Sequence, residues 1–88
     1  MLYVMVYSWE KEKRDEIIKR RLEKGTMLPS GVKILGEWTT IGRNEGFMVI
    51  EADDPKLVVQ GLLGWNDLVD YDVNPVLDTE KDLLGLLK

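Results

Sequence analysis

The chain has 88 residues, 44% of them hydrophobic and 32% charged, with 12 Lys and Arg against 16 Asp and Glu. This composition is typical of a globular protein, and a net charge of −4 offers no general attraction for nucleic acid or for an anionic membrane. Cysteine and histidine are both absent, which excludes disulfides, thiolate or histidine catalysis and the usual zinc sites.

The first half of the chain predicts a strand, a helix and a hairpin. Leu2 to Trp9 is rich in residues with strong strand preference. Glu10 to Lys24 carries apolar residues at helical spacing among charged ones, and Gly25 is positioned to end that helix. Val32 to Ile41 and Gly46 to Ala52 predict two strands joined by a tight turn. Because the second of these is largely apolar, we expect a central strand covered on both sides.

The second half of the chain predicts a helix, an edge strand and a short terminal helix. Asp53-Asp54-Pro55 is a helix-start signal, and the helix should run to about Trp65. Leu68 to Leu77 predicts a strand, which Pro75 restricts to an edge or a bulge. Asp78 then begins a leucine-rich helix that needs a covering surface. The order β-α-β-β-α-β predicts one ferredoxin-like α+β domain over residues 1–88.

Three segments carry a resemblance to a known family, and together they span about the first four-fifths of the chain. They are Gly25-Thr26-Met27-Leu28-Pro29-Ser30-Gly31, Glu51-Ala52-Asp53-Asp54-Pro55 and Trp65-Asn66-Asp67-Leu68-Val69-Asp70-Tyr71-Asp72-Val73-Asn74-Pro75-Val76. In these segments the chain resembles an uncharacterised domain-of-unknown-function family of the dimeric α/β barrel superfamily. The resemblance implies a ferredoxin-like protomer whose sheet pairs face to face with a second copy, and it implies no reaction. Relatives often have a histidine near the end of strand one, where this chain has Ser8 and Trp9, so no histidine chemistry is carried over.

Both faces of the first predicted strand are apolar. Alternation along the strand separates Leu2, Val4 and Val6 from Tyr3, Met5, Tyr7 and Trp9. Helices can cover one face, and the other would remain an exposed apolar patch of the kind that marks an interface. We therefore expect a homodimer, which should dissociate or aggregate when Met5 or Tyr7 is replaced by Asp.

Large side chains on the predicted strands have two interpretations. They are either core and interface packing, or the lining of a cavity between sheet faces for a flat apolar molecule. The candidate ligand-binding residues are Tyr3, Met5, Tyr7, Trp9, Trp38 and Phe47.

Any acid–base chemistry would have to use carboxylates or tyrosines, and the first candidates are Tyr7 and Glu51. Other strand carboxylates, such as Asp70 and Asp72, are expected on a solvated edge. The basic run Lys19-Arg20-Arg21 is interleaved with acidic residues and is expected to form ion pairs along a solvated helix face. We expect no bound metal, no cofactor and no nucleic-acid partner.

Three functions remain open at this stage. The favoured one is a cytoplasmic homodimer that binds a small apolar or aromatic molecule. An alternative is a cofactor-independent enzyme, monooxygenase-like or isomerase-like, acting in the same cavity. A further alternative is a structural or regulatory dimer without a ligand. The cytoplasmic expectation follows from the apolar opening Met1 to Tyr7, which lacks a basic region before it and a cleavage site after it and is too short to span a bilayer.

Overall fold

A computed structural model describes residues 1–87, and Lys88 lies outside the described residues. The main elements follow one another in the order that the sequence predicts. They are β1 (Leu2–Ser8), α1 (Arg14–Lys24), β2 (Val32–Thr39), β3 (Glu45–Ala52), α2 (Pro55–Leu63) and β4 (Asp70–Val76). A single 3-10 turn, Lys11–Lys13, precedes α1, and the chain continues after β4 into a π-helical turn, Thr79–Leu83, and a short helix α3, Leu84–Leu86.

The four strands form one antiparallel sheet in the order β2-β3-β1-β4. With the two longer helices between the strands, this arrangement confirms the predicted ferredoxin-like fold. β4 lies at the edge, as predicted from Pro75, since proline cannot donate a backbone hydrogen bond to a neighbouring strand.

The core lies between the sheet and the helices. Met5 of β1 and Ile50 of β3 are its largest fully buried side chains. Val58 of α2 packs onto this cluster, and Asp54 begins α2 by accepting a hydrogen bond from the Lys56 amide at 2.9 Å. A second buried cluster follows α2, where Trp65, Leu68 and Val69 pack together.

Within residues 1–87, the helices cover one face of the sheet and leave the other uncovered. The burial of β3 alternates strictly along most of its length, with Met48, Ile50 and Ala52 buried and Phe47 and Val49 half-buried. The prediction that β3 is covered on both sides is therefore wrong for the protomer, since both longer helices lie on one face. We call the uncovered side the open face.

The position of Met5 also changes the expected dimer test. Met5 and Tyr7 both lie on the helix-covered face, so replacing either by Asp would disrupt the packing of one protomer and would not test pairing through the other face. The face left for a partner is that of Val4 and Val6, whose partners across β3 are Val49 and Phe47.

A β-bulge in β2 decides which of its side chains lie on the covered face. The register on β3 shifts between Ile34 and Gly36, so that Leu35 is the extra residue. Simple alternation would place Trp38 on the same face as Ile34. After the bulge, Glu37 pairs with the buried Met48 on the covered face, and Trp38 pairs with Phe47 on the open face.

Some predicted boundaries differ from the structure. β1 ends at Ser8 and β2 ends at Thr39, so neither strand reaches its predicted last residue, Trp9 or Ile41. The terminal leucines that were expected to need a covering surface are all exposed in the protomer, namely Leu83, Leu84, Leu86 and Leu87.

Candidate functional site

A cavity of about 360 Å³ lies between the covered face of the sheet and α1. The sheet forms its floor, with side chains from all four strands, which are Met5, Tyr7, Glu37, Thr39, Met48 and Tyr71. Helix α1 forms its roof with Arg14, Ile17, Ile18, Arg21 and Leu22. The remaining wall is formed by Trp9 after β1, by the loop between α1 and β2, by the end of α2 and by the segment that follows α2. These parts contribute Thr26, Leu28, Gly61, Leu62, Trp65 and Val69.

Helix α1 has no fully buried residue, although Ile17 is half-buried and packs against the second core cluster. Ile18 is 50% exposed and Leu22 is 82% exposed, although both lie on the side of the helix that faces the cavity. An amphipathic helix ordinarily buries such a stripe against the core. Space therefore remains beneath α1 where packing would be expected.

Two arginines attach α1 to the rest of the protein. Arg20 donates two hydrogen bonds of 2.7 Å to the Asp67 carboxylate and one of 2.9 Å to the Gly64 carbonyl. Its guanidinium also lies 5.6 Å from the centre of the Trp65 ring, within cation–π range. Arg21 donates two hydrogen bonds, of 2.9 and 2.7 Å, to the Glu37 carboxylate. The prediction of ion pairs along the helix is wrong for these two arginines, because both reach distant carboxylates.

Tyr7, Glu37 and Arg21 form a polar cluster at the cavity. The Tyr7 hydroxyl donates to Glu37 Oε2 at 2.9 Å, so Glu37 accepts from both neighbours. Tyr7 reaches β2 across β3 because Gly46, its partner on β3, has no side chain. A Cβ atom at Gly46 would lie 2.6 Å from atoms of the Tyr7 ring. Gly46 is thus required by the close approach of this ring.

Ionisation in the cluster follows from its contacts. The hydrogen bonds from Arg21, followed by that from Tyr7, lower the pKa of Glu37 despite partial burial. Burial raises the pKa of Tyr7 above its ordinary range, and the hydrogen bond to Glu37 adds to the effect. Burial likewise raises the pKa of Tyr71 to about 12. At neutral pH the cavity therefore presents neutral tyrosines and an ionised, paired carboxylate.

An aromatic wall continues from the cluster. The Tyr7 ring lies between those of Tyr71 and Trp9, with ring centres 5.6 and 6.1 Å apart, both in tilted orientations. Within residues 1–87, the indole nitrogen of Trp9 is the buried side-chain polar atom that lacks a hydrogen-bond partner. A buried donor without an acceptor is uncommon, and here it belongs to a residue of the cavity wall.

The predicted ligand-binding residues divide between two faces of the sheet. Met5, Tyr7 and Trp9 line the cavity, and Tyr3 is buried in the core beside it. Trp38 and Phe47 lie on the open face, where the Trp38 indole folds over Gly36. The six residues therefore do not form one pocket.

The two catalytic candidates are also separated. Tyr7 faces the cavity, whereas Glu51 pairs with Leu2 at the other end of β1 and is exposed on the open face. Asp70 and Asp72 are exposed on the edge strand, as expected.

Sequence reasoning did not identify Arg14 and Arg21 as cavity residues. Their spacing of seven positions could have indicated this placement, because it puts both arginines on the same side of the helix as Ile17 and Ile18.

Within residues 1–87, no group of three or more Asp or Glu side chains is placed to hold a metal ion. None of the helices described is long and apolar enough to cross a membrane.

The Arg20–Asp67 pair predicts an acid-dependent stability. The hydrogen bonds from Arg20 lower the pKa of Asp67 from 3.8 to about 2. Because the folded-state pKa is depressed, this contribution is complete above the ordinary pKa and is lost as the pH falls toward 2. We expect Asp67→Asn to melt a few degrees below the wild type at neutral pH, with the gap closing between about pH 4 and 2 in thermal unfolding followed by circular dichroism.

The matched control is the same substitution in an Arg20→Gln background, where the Asp67→Asn effect should largely disappear at every pH. A melting-temperature gap that stays constant down to pH 2 would show that the pair does not stabilise the fold.

The fold can be compared with solved structures. A NIPSNAP-like domain protein from Burkholderia xenovorans is similar, with a TM-score of 0.51 and 12% identity over 88% of this chain and 84% of that chain. A structural genomics target from Agrobacterium tumefaciens gives a TM-score of 0.48 and 14% identity, over 88% of this chain and 94% of the other. At 12% identity the Burkholderia structure supports the fold alone.

Sequence comparison shows the family. No curated protein matches the chain. Residues 1–83 match the family described as a domain of unknown function, DUF3303. This match covers nearly the whole chain and agrees with the family type that the three sequence segments indicated. The chain therefore belongs to the DUF3303 family.

Proposed function

We propose that this protein binds a small, largely aromatic or apolar molecule in the cavity between its sheet and α1, and that it does so as a homodimer. The observation that carries the proposal is the cavity itself. Its volume of about 360 Å³ falls at the lower end of the range for small-molecule sites, roughly 300–1,000 Å³. Its lining is mainly apolar and aromatic with a few polar groups, as is usual for such sites.

The packing of α1 supports an occupant. Ile17 packs against the second core cluster, whereas Ile18 stays half-exposed beside the cavity, and the two arginine pairs help to hold the helix over the sheet. A flat apolar molecule in this space would cover those side chains and the Tyr7 ring at the same time. Binding would thus replace packing that the protomer does not make for itself.

The ionisation of the cluster favours binding over acid–base catalysis. A general acid or base works best with a pKa near the working pH. Here the pKa values of Tyr7 and Tyr71 are raised away from neutrality, and that of Glu37 is lowered by its hydrogen bonds. These groups are better suited to orienting a ligand than to exchanging protons with it, which is why the enzyme remains the second candidate.

The binding experiment uses the three tryptophans as reporters. Trp9 and Trp65 line the cavity and Trp38 lies on the open face. In ¹⁵N–¹H spectra titrated with 2-naphthol, a flat neutral probe, we expect the indole signals of Trp9 and Trp65 to shift saturably while that of Trp38 stays unchanged.

Two variants sharpen this experiment. Thr39 is exposed and lines the cavity, so Thr39→Phe should obstruct it and weaken binding by roughly tenfold. Trp38→Phe, one position along the same strand but on the open face, should bind like the wild type. Shifts that do not saturate, or that are equal in Thr39→Phe, would contradict a binding cavity.

The open face supports the homodimer. Apolar side chains on this face neighbour one another across β1, β2 and β3, and one more lies on β4; they are Leu2, Val4, Val6, Trp38, Phe47, Val49 and Val76. Trp38 is 58% exposed in the protomer, and contiguous apolar surface of this kind marks an interaction site.

The charged residues of the open face lie toward its edges and ends. Lys33 pairs with Glu51 at one end of β2 and β3, and Asp70 and Asp72 lie on the edge strand β4. A two-fold axis through the apolar centre places the surface around Val4 against the same surface of a second copy and leaves the charged residues at the rim.

A further inference from the structure

The charge of the cavity is opposite to that of the chain. The whole sequence has a net charge of −4. The charged residues of the cavity lining are Arg14, Arg21 and Glu37, two positive and one negative, which gives a net charge of +1. The Arg14 side chain is 61% exposed and that of Arg21 is 42% exposed, so solvent partly screens this charge and its effect on a ligand is modest.

The single acidic group of the lining is already occupied. Both oxygens of Glu37 accept hydrogen bonds from Arg21, and Oε2 also accepts from Tyr7. A cationic ligand would find no unpaired carboxylate in the cavity lining and would meet the two guanidinium groups. The cavity is therefore poor in acceptors for a ligand.

Donors, by contrast, remain available. A guanidinium has five N–H groups, and Glu37 engages one on each terminal nitrogen of Arg21. Among residues 1–87, the hydrogen-bond partner of the Arg14 side chain is the adjacent Asp15, through Nε at a long 3.4 Å, and both of these side chains are mostly exposed. The indole N–H of Trp9 adds a donor that has no acceptor among residues 1–87.

The two arginines lie on the same side of α1. They are seven residues apart, which is about two turns or roughly 10 Å along the helix axis. Arg21 is fixed at one position of the roof by Glu37, and Arg14, the first residue of α1, is free to adjust near the aromatic wall of Trp9.

From this arrangement we infer that the natural ligand is a flat aromatic or apolar monoanion, whose carboxylate pairs with Arg14 and the remaining donors of Arg21 while its ring packs against Tyr7 and Trp9. The inference rests on the proposed binding function and specifies the chemical class of the ligand. It also explains why a cavity with an otherwise apolar lining contains an arginine that no nearby carboxylate holds firmly.

The test compares two probes of the same shape, 2-naphthoate and its neutral amide, 2-naphthamide. Dissociation constants are measured by the ¹⁵N–¹H titration of the Trp9 indole signal. We expect 2-naphthoate to bind roughly three- to tenfold more tightly at low salt, and we expect this preference to shrink as the salt concentration rises.

Two charge-matched variants locate the effect. Arg14→Gln should remove most of the preference for 2-naphthoate, because it weakens the binding of 2-naphthoate much more than that of 2-naphthamide. Lys19→Gln removes the same charge from an exposed position of α1 outside the cavity lining and should keep the preference.

The outcomes separate the two proposals. Equal binding of both probes, or an equal effect of Arg14→Gln and Lys19→Gln, overturns the anionic ligand class and leaves the binding cavity in place. Failure of both probes to bind would overturn the proposed function, and the ligand class with it.

Discussion

A Val4→Asp variant is expected to be a folded monomer, whereas a Met5→Asp variant is expected not to fold. The two positions are adjacent on β1 and point to opposite faces of the sheet. Val4 is half-buried at the centre of the open face, between Val49 and Asn74. An aspartate there stays solvated in the protomer but would be buried without a partner in the proposed dimer.

The expected magnitudes differ accordingly. A carboxylate desolvated in the interface should weaken dimerisation by about 3 kcal/mol, or more than a hundredfold. Met5 is 2% exposed, and an unpaired carboxylate in its place costs several kcal/mol of a total stability of about 5–15 kcal/mol.

Light scattering and circular dichroism distinguish these results. The wild type should have twice the 10.1 kDa chain mass at micromolar concentration, and Val4→Asp should have the chain mass with an unchanged far-ultraviolet spectrum. A wild-type mass of 10.1 kDa, or a Val4→Asp protein that remains dimeric, would contradict the proposed face-to-face pairing.

Glu37→Leu is expected to destabilise the protein by about 1–3 kcal/mol, since it leaves the Arg21 guanidinium and the Tyr7 hydroxyl without their acceptor beside an apolar cavity. We expect a value in the lower half of this range, because the Arg21 side chain is 42% exposed and water can replace part of its hydrogen bonding to Glu37. Urea unfolding followed by circular dichroism measures the change.

Companion variants identify the cause. Glu37→Gln keeps one acceptor and should lose less stability than Glu37→Leu. Replacing Arg21 by Leu as well should recover part of the loss, because no charge is then left unpaired. If Glu37→Leu is as stable as the wild type, the cluster does not hold α1 to the sheet.

The same cluster predicts a limit to stability at high pH. The pKa of Tyr7 is raised in the folded protein, so the folded state holds the tyrosine proton more tightly than the unfolded state does. The corresponding stabilisation is complete below the ordinary tyrosine pKa of about 10 and declines as the pH rises above it. Glu37→Leu removes part of this shift and should therefore show a shallower decline.

Local pattern was sufficient for the order of elements and for the fold. Aromatic and β-branched runs, the Asp54-Pro55 helix start and the edge position of Pro75 are properties of a few adjacent residues, and the structure retains them. The two apolar faces of β1 were likewise readable from its alternation, because side chains on a strand point to opposite sides in turn.

The site depended on contacts between residues far apart in the chain. Arg21 and Glu37 lie on different elements, and nothing in either segment indicates that they pair across the cavity. The bulge at Leu35 is not indicated by the local sequence either. One inserted residue reverses the alternation that follows it and moves Trp38 to the open face.

The sequence by itself determined which residues are apolar, which are charged and how they alternate, and these features were enough to specify a ferredoxin-like sheet with two apolar faces. The tertiary structure alone decided that the helices cover the Met5 face, that arginine pairs hold α1 above a cavity, and that Trp38 lies outside it. The physical reason is that alternation is a local property of the backbone. Register, helix placement and ion pairing between distant residues are settled only when the elements pack against one another.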